Sequence, residues 1–347
     1  MTASPTPEEW RRLLETVVRY KKLGCWQWME NEDYFAVTNP DTGEVGYCVV
    51  LGAGGMNFGF NVYIGSDANL FLQEITDSMG VLNDDQQELS LNTNAISLTF
   101  EDRSELDKED LRILREQGLK FRGSQQWPLF RSYEPGRSPW SLNSQQVGFL
   151  TIALEQGIHV AERFREDREL YFEHDEADNG FGEKRLHRVP QKTDHGIEWR
   201  DEWLPWRTKG QLIEPYVYPD EVKLQSLKKL KKSKETWEAD FDYAVIAIGD
   251  TREERPYYPR LCLWVNKGNS MIMDVKLGQE ADCRELFVQQ LIRLLEKVNY
   301  KPAKIEVGSN KAFLALQDSA ERLAIPIRVN PHLEALLEAK YAIEDRL

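Results

Sequence analysis

Cysteine and histidine are scarce in this chain, with four of the former and five of the latter among 347 residues. Cys25, Cys48, Cys262 and Cys283 show neither CxxC nor CxH spacing, which removes the common zinc and dithiol motifs. Three of them adjoin Trp26, Val49 and Leu263, so they read as reduced packing residues. An excess of cations is also missing. The balance of 44 Lys and Arg against 58 Asp and Glu gives a net charge of −14, which on average repels phosphate backbones. No serine sits in a GxSxG elbow, and no cysteine stands beside a recognisable histidine partner. From Met1 to Trp10 there is neither a basic stretch nor an apolar run, so the expectation is a cytoplasmic protein without a secretory signal.

Long apolar runs are nearly absent. Val45 to Ser66 carries no charge and is long enough to span a bilayer, but its glycines (Gly46, Gly52, Gly54, Gly55, Gly59, Gly65) with Asn57 and Asn61 suit a hairpin, not a lipid-facing helix. What is present is ordinary globular composition, 41% apolar with ten Trp, in a chain longer than one core usually serves. Two domains follow as the expectation.

The residue pattern predicts an α+β domain over 1–210, a linker with a basic helix over 211–234, and an α/β domain over 235–347. Thr6-Pro7-Glu8-Glu9 is a capping box with proline at the first helical position, followed by the stripe Trp10, Leu13, Leu14, Val17, Val18. Strands at Tyr34 to Thr38, Gly46 to Leu51 and Phe58 to Ile64 form an antiparallel meander. Beyond it come a helix at Leu70 to Met79, a strand at Ala95 to Phe100, a helix at Lys108 to Gln117 and a strand at Leu129 to Tyr133. A long helix from Asn143 to about Glu169 is weakened by Gly157, and the polar stretch Glu173 to Gly196 reads as an exposed hairpin or mobile loop. In the second domain, strands at Phe241 to Ile248, Arg260 to Val265 and Ser270 to Lys276 lead to a helix at Cys283 to Val298. A strand at Lys304 to Val307, a helix at Asn310 to Leu323, a strand at Ile325 to Val329 and a helix opened by Asn330-Pro331 complete it.

This order, βββαβαβα in a mixed sheet, resembles the ribonuclease H-like arrangement over Phe241 to Leu347. Through Asn39-Pro40-Asp41-Thr42-Gly43-Glu44-Val45-Gly46-Tyr47 and the Arg260 to Val265 strand with its hairpin, the whole chain also resembles uncharacterised bacterial two-domain proteins of the domain-of-unknown-function type. The first resemblance implies several carboxylates converging on divalent ions. Candidates are Asp242, Glu306 and Glu338, with Asp240, Asp274, Glu334, Glu344 and Asp345 nearby in sequence; yet Val307-Gly308-Ser309-Asn310, where that family usually has an Asp, carries none. Solvated or helix-capping acids are the favoured account.

Four of the five histidines, His159, His174, His187 and His195, fall in one region beside Asp175, Glu176 and Asp178. His174, His187 and His195 are the metal-ligand candidates of a hydrolase reading, although none share zinc-site spacing and His159-Val160-Ala161-Glu162 is not HExxH. Gly52-Ala53-Gly54-Gly55 could cradle an anion, but the strand pattern after it fits a hairpin. Lys228, Lys229, Lys231 and Lys232 form the basic patch, interleaved with Leu224, Leu227 and Leu230; a solvated linker helix is favoured over a docking patch for an acidic partner or nucleic acid. Trp26, Trp28, Trp127 and Trp140 read as core before ligand groove. No cofactor is implied. The favoured function is a non-catalytic binding or regulatory module with a protein partner and no membrane association. A ribonuclease H-like nuclease or nucleic-acid binder and a metal-dependent hydrolase are the alternatives.

Overall fold

Helix α1 (Pro7–Leu23) starts where Thr6 Oγ1 accepts a hydrogen bond from Glu9 N and the Glu9 carboxylate accepts one from Thr6 N; it ends at Gly24, whose φ of 62° is left-handed. Trp10, Leu13, Leu14 and Val17 are buried. The computed structural model to which this helix belongs describes residues 3–65, 68, 71–72, 88, 90–168, 184–205, 215–244, 246–249 and 254–344. The expected helix at Leu70 to Met79 lies almost wholly outside the described residues, as do 173–183 with His174, and Asp345. The chain divides into two units, Met1–Pro135 with Pro139–Gln211, and Gly136–Ser138 with Leu212–Leu347.

In the first unit, β1 (Phe35–Thr38), β2 (Val45–Leu51), β3 (Gly59–Ile64) and β4 (Ala95–Glu101) run antiparallel in sequence, and β5 (Trp127–Tyr133) continues the pattern after α2 (Lys108–Glu116). The glycine cluster joins β2 to β3 as a hairpin connection. Helix α3 (Ser144–Glu166) packs against α1 and over the sheet, and both share a core with Phe60, Leu98 and Leu186. Glycine in the middle of α3 has a packing reason: a Cβ on Gly157 would come within 3.0 Å of the Phe60 ring.

Of the two expectations for the polar stretch before Gly196, the described residues form the hairpin, and it is partly buried instead of exposed. β6 (Lys184–Thr193) pairs parallel with β1 and antiparallel with β7 (Gly196–Pro205), completing the sheet order β5-β4-β3-β2-β1-β6-β7. Leu186, His187 and Arg188 are buried there. Polarity did not keep the segment at the surface because its charges are matched: Arg188 Nε donates to Gln156 Oε1 at 3.1 Å, and Arg188 and Arg163 both bind the Asp201 carboxylate.

The second unit holds α4 (Glu221–Lys228), β8 (Thr236–Tyr243), β9 (Arg260–Asn266), β10 (Met271–Gly278), α5 (Cys283–Val298), β11 (Lys304–Val307), α6 (Asn310–Leu323), β12 (Ile327–Val329) and α7 (Glu334–Glu344). Its sheet order is β10-β9-β8-β11-β12, antiparallel among β8, β9 and β10 and parallel for β11 with both β8 and β12. Helices α5 and α6 cover one face around Trp237, Phe241, Trp264, Phe287 and Leu291. Helix α7, with Leu333 just before it, covers the other through Leu336 and Ala339 against Leu263 and Val265. Both units are therefore mixed α/β structures, the first rich in antiparallel pairs. The basic segment is built into the second unit: Leu224 and Leu227 of α4 are buried in the same core as α5 and α6. All four cysteines are buried and free. Among the described residues, no helix is long and apolar enough to cross a membrane.

One strand departs from its expected position. The sequence places it at Phe241 to Ile248, whereas β8 runs five residues earlier; Ile246 and Ile248 are exposed, and Ile248 bridges Tyr257 instead. The apolar run attracts the strand assignment, but the segment before it alternates, and its acidic positions become tolerable in a buried strand only when distant cations meet them.

Candidate functional site

Alternation along β8 sends Trp237, Ala239 and Phe241 into the core beneath α5 and α6, and Glu238, Asp240 and Asp242 to the opposite face, beneath α7. Register then sets Glu306 of β11 beside Glu238, and Arg328 of β12 beside Glu306. A transverse row of Arg328, Glu306 and Glu238 thus crosses three strands on one face.

Glu306 is fully buried, and its carboxylate is ringed by donors. Lys267 Nζ lies 2.8 Å from Oε2, Lys304 Nζ 2.6 Å from Oε1, Arg328 Nε 3.0 Å from Oε1 and Asn330 Nδ2 3.1 Å from Oε2. Burial pushes its pKa up, but hydrogen bonds from Lys267, Lys304, Asn330 and Arg328 outweigh it and hold the group far below the usual carboxylate range. Glu238, equally buried, faces Lys267 Nζ at 3.0 Å and accepts Leu336 N–H at 3.0 Å, which ties α7 to the sheet.

The other end of the stripe differs. Asp240 Oδ1 accepts from Ser309 Oγ at 2.9 Å and from Phe241 N at 2.8 Å. Burial first, and then the nearby Asp242 charge, push its pKa up to about 7, against the smaller opposing pull of Lys311. Asp242 itself lies 3.3 Å from Lys311 Nζ and 3.9 Å from Lys340 Nζ. Gly308 leaves room for this carboxylate, since a Cβ there would sit 2.4 Å from Asp240 Oδ2.

The three acids singled out from sequence are not gathered into one site. Asp242 is four positions along β8 from Glu238, the register partner of Glu306, a separation of about 13 Å at the strand rise. Glu338 of α7 instead accepts a hydrogen bond from Ser270 Oγ at 3.1 Å in the β9–β10 turn. Among the described residues no three His, Cys, Asp or Glu side chains are grouped so that they could hold a metal ion. Asp240 and Glu238, which the misplaced strand had left at its margin or outside it, are the more deeply buried acids. The alternation Trp237-Glu238-Ala239-Asp240-Phe241-Asp242-Tyr243 was the signal that could have found them.

Of the described histidine candidates, His187 is buried in β6 with Nε2 2.7 Å from Thr38 Oγ1, and burial lowers its pKa. His195 is exposed in the β6–β7 turn, its backbone N bonded to Thr193 Oγ1. Lys228, Lys229, Lys231 and Lys232 are all exposed, while the Lys228 carbonyl accepts from Lys301 Nζ at 2.8 Å and the Lys231 carbonyl from Lys301 N.

Fold and site together define a two-unit α/β protein whose second sheet carries a buried, cation-compensated acidic face. The chain belongs to the family described as Domain of unknown function (DUF7309), whose model matches residues 10–186. A second model, Domain of unknown function (DUF6930), matches residues 223–344. No curated protein matches the chain. Among solved structures, similarity is found to a chain of the simian T-cell lymphotropic virus intasome in complex with PP2A regulatory subunit B56 gamma, at 16% identity and a TM-score of 0.25. That match covers 41% of this chain and 45% of the other, and at this score it carries no argument.

Proposed function

We propose that this is a non-catalytic binding or regulatory module of a cytoplasmic bacterial protein, with a protein as its partner. The observation that supports the reading is that the carboxylates of the second sheet are met by internal partners. Glu306 is bound by Lys267, Lys304, Arg328 and Asn330, Asp242 by Lys311 and Lys340, and Glu338 by Ser270. Divalent-ion catalysis requires the reverse, acids left to converge on a cation. The exposed Lys228, Lys229, Lys231 and Lys232 offer a charged surface suited to an acidic partner.

A second reading, a divergent ribonuclease H-like nucleic-acid-binding or nuclease protein, draws support from the strand order β10-β9-β8-β11-β12, with three antiparallel strands followed by two parallel ones. It also draws on Asp240 lying beside Ser309, just past the end of β11, with the Asp242 charge near it. Incubating the full chain with labelled single- and double-stranded DNA and RNA, with Mg²⁺ or Mn²⁺, separates the two. The module reading expects intact nucleic acid. Metal-dependent cleavage that Asp240→Asn abolishes would overturn it in favour of the second.

A further inference from the structure

Strand β10 is an edge of the second sheet, paired with β9 on one side only among the described residues. One face of this edge is apolar, and Asp274 and Lys276 lie on the other, where charge ordinarily blunts a solvated edge. Ile272, Val275 and Leu277, register partners of Val265, Leu263 and Leu261, lie on the face that α7 covers over β9, and are 38%, 40% and 49% exposed. The backbone direction of this edge is fixed by one contact: Val275 N–H is bonded to the neighbouring Asp274 Oδ1 at 3.1 Å, so it points away from β9 and outward. In a regular antiparallel strand, Leu277 shares that direction, while Asp274 and Lys276 turn their backbone groups toward β9.

We propose that β10 pairs with β10 of a second copy of this chain, antiparallel and centred on Val275, joining two five-stranded sheets edge to edge. Parity and charge select this register. Residues opposite one another in an antiparallel ladder must share the direction of their backbone groups, so a two-fold axis can fall on a residue but not between two. Centring on Asp274 sets two aspartates opposite each other, and centring on Lys276 sets two lysines opposite. Centring on Val275 places Asp274 opposite Lys276 of the second copy, twice, in the closely spaced non-hydrogen-bonded pairs where cross-strand charges interact most. It also lets Val275 of each copy exchange its N–H and C=O with the other, and sets the exposed Val275 side chains of the two copies together. A foreign strand lacks the matching Asp-x-Lys pattern, so the same charges that discourage general edge pairing favour self-pairing. The bulge between Ile272 and Asp274 limits the ladder to its Asp274-to-Gly278 half, which predicts a modest affinity.

Sedimentation velocity of the full chain over a concentration series, at roughly physiological salt so that the net negative charge is screened, tests the proposal. The wild type is expected to dimerise reversibly at concentrations of order 10 to 100 μM, the range for a small interface. Lys276→Asp and Asp274→Lys are each expected to raise the dissociation constant at least tenfold, because each sets like charges opposite. The double variant D274K/K276D, and an equimolar mixture of the two single variants, are expected to restore dimerisation. These are surface substitutions, and an unchanged circular dichroism spectrum verifies the fold. A wild type that stays monomeric throughout, a dimer insensitive to Lys276→Asp, or a charge swap without rescue would each overturn the proposal. Dimerisation insensitive to Lys276→Asp would mean that a different surface is used.

Discussion

Two parts of one acidic face, built on β8 and its neighbour β11, carry buried acids of opposite electrostatic fate. At one end, Glu238 and Glu306 are met by Lys267, Lys304, Arg328 and Asn330, and Glu306 stays ionised far below its usual range. At the other, Asp240 has a hydroxyl and one N–H as partners and a like charge beside it, and titrates near pH 7. Burial is common to both, so the difference lies in what faces each carboxylate. A buried charge is tolerated when donors surround it and neutralises itself when they do not. The contrast also separates two kinds of pH dependence. A carboxylate with a depressed pKa stabilises the fold above the ordinary carboxylate range and loses that contribution in acid; one with a raised pKa contributes most in acid, and its contribution declines as pH rises through the folded value.

The largest effect expected follows from that sign. The contribution of Asp240 declines between about pH 4 and pH 7, by at most roughly 1.4 kcal/mol per pH unit. Urea unfolding at pH 5 and pH 8 should therefore show Asp240→Asn gaining stability relative to the wild type as pH rises. Equal pH slopes for the two proteins would erase the contrast between the two ends. Next, Glu306→Ala should cost about 3 kcal/mol at pH 7, through the loss of several charge-assisted hydrogen bonds to one buried acceptor. The three cations it frees are each at least a third exposed and can turn to water, which keeps the cost from rising further. An unfolding midpoint that does not move would show that the cations do not hold this end.

Smaller effects sharpen the Asp240 end. Gly308→Ala should cost about 2 kcal/mol by crowding the Asp240 carboxylate, and the cost should shrink in an Asp240→Ala background, as a double-mutant cycle would show. Strict additivity would mean that Gly308 matters for another reason. Ser309→Ala should cost about 1 kcal/mol, because its hydroxyl both caps α6 by accepting from Ala312 N and donates to Asp240. An upward shift of the Asp240 titration, followed by NMR, should accompany it, because the lost hydroxyl lowers that pKa.

Local chemistry made much of the fold readable in advance. The Thr6 capping box and the stripe of Trp10, Leu13, Leu14 and Val17 in α1 are local devices whose meaning does not depend on distant residues. The meander β1 to β3 was legible for the same reason, since turns at Asn39 to Gly43 and at the glycine cluster bound its strands. Failures occurred where distant partners decide. The polar stretch at 184–193 reads as an exposed hairpin or loop, and its burial depends on Gln156 and Asp201 being there to bind Arg188. Likewise, β8 was displaced because the lysines that make its acids bearable, Lys267, Lys311 and Lys340, are all remote in sequence.

By itself, the sequence set the caps of the last two helices at Asn310 and Asn330, whereas Ser309 caps α6 and α7 begins at Glu334. It determined most of the helices, the antiparallel hairpins and the two-unit organisation expected from length. Each of these depends on neighbours within a few turns of chain. Only tertiary structure decided which acids lie side by side and which cations reach them. Those pairings depend on strand register and sheet order, and moving β8 by five residues changed which carboxylates share a face and which are buried.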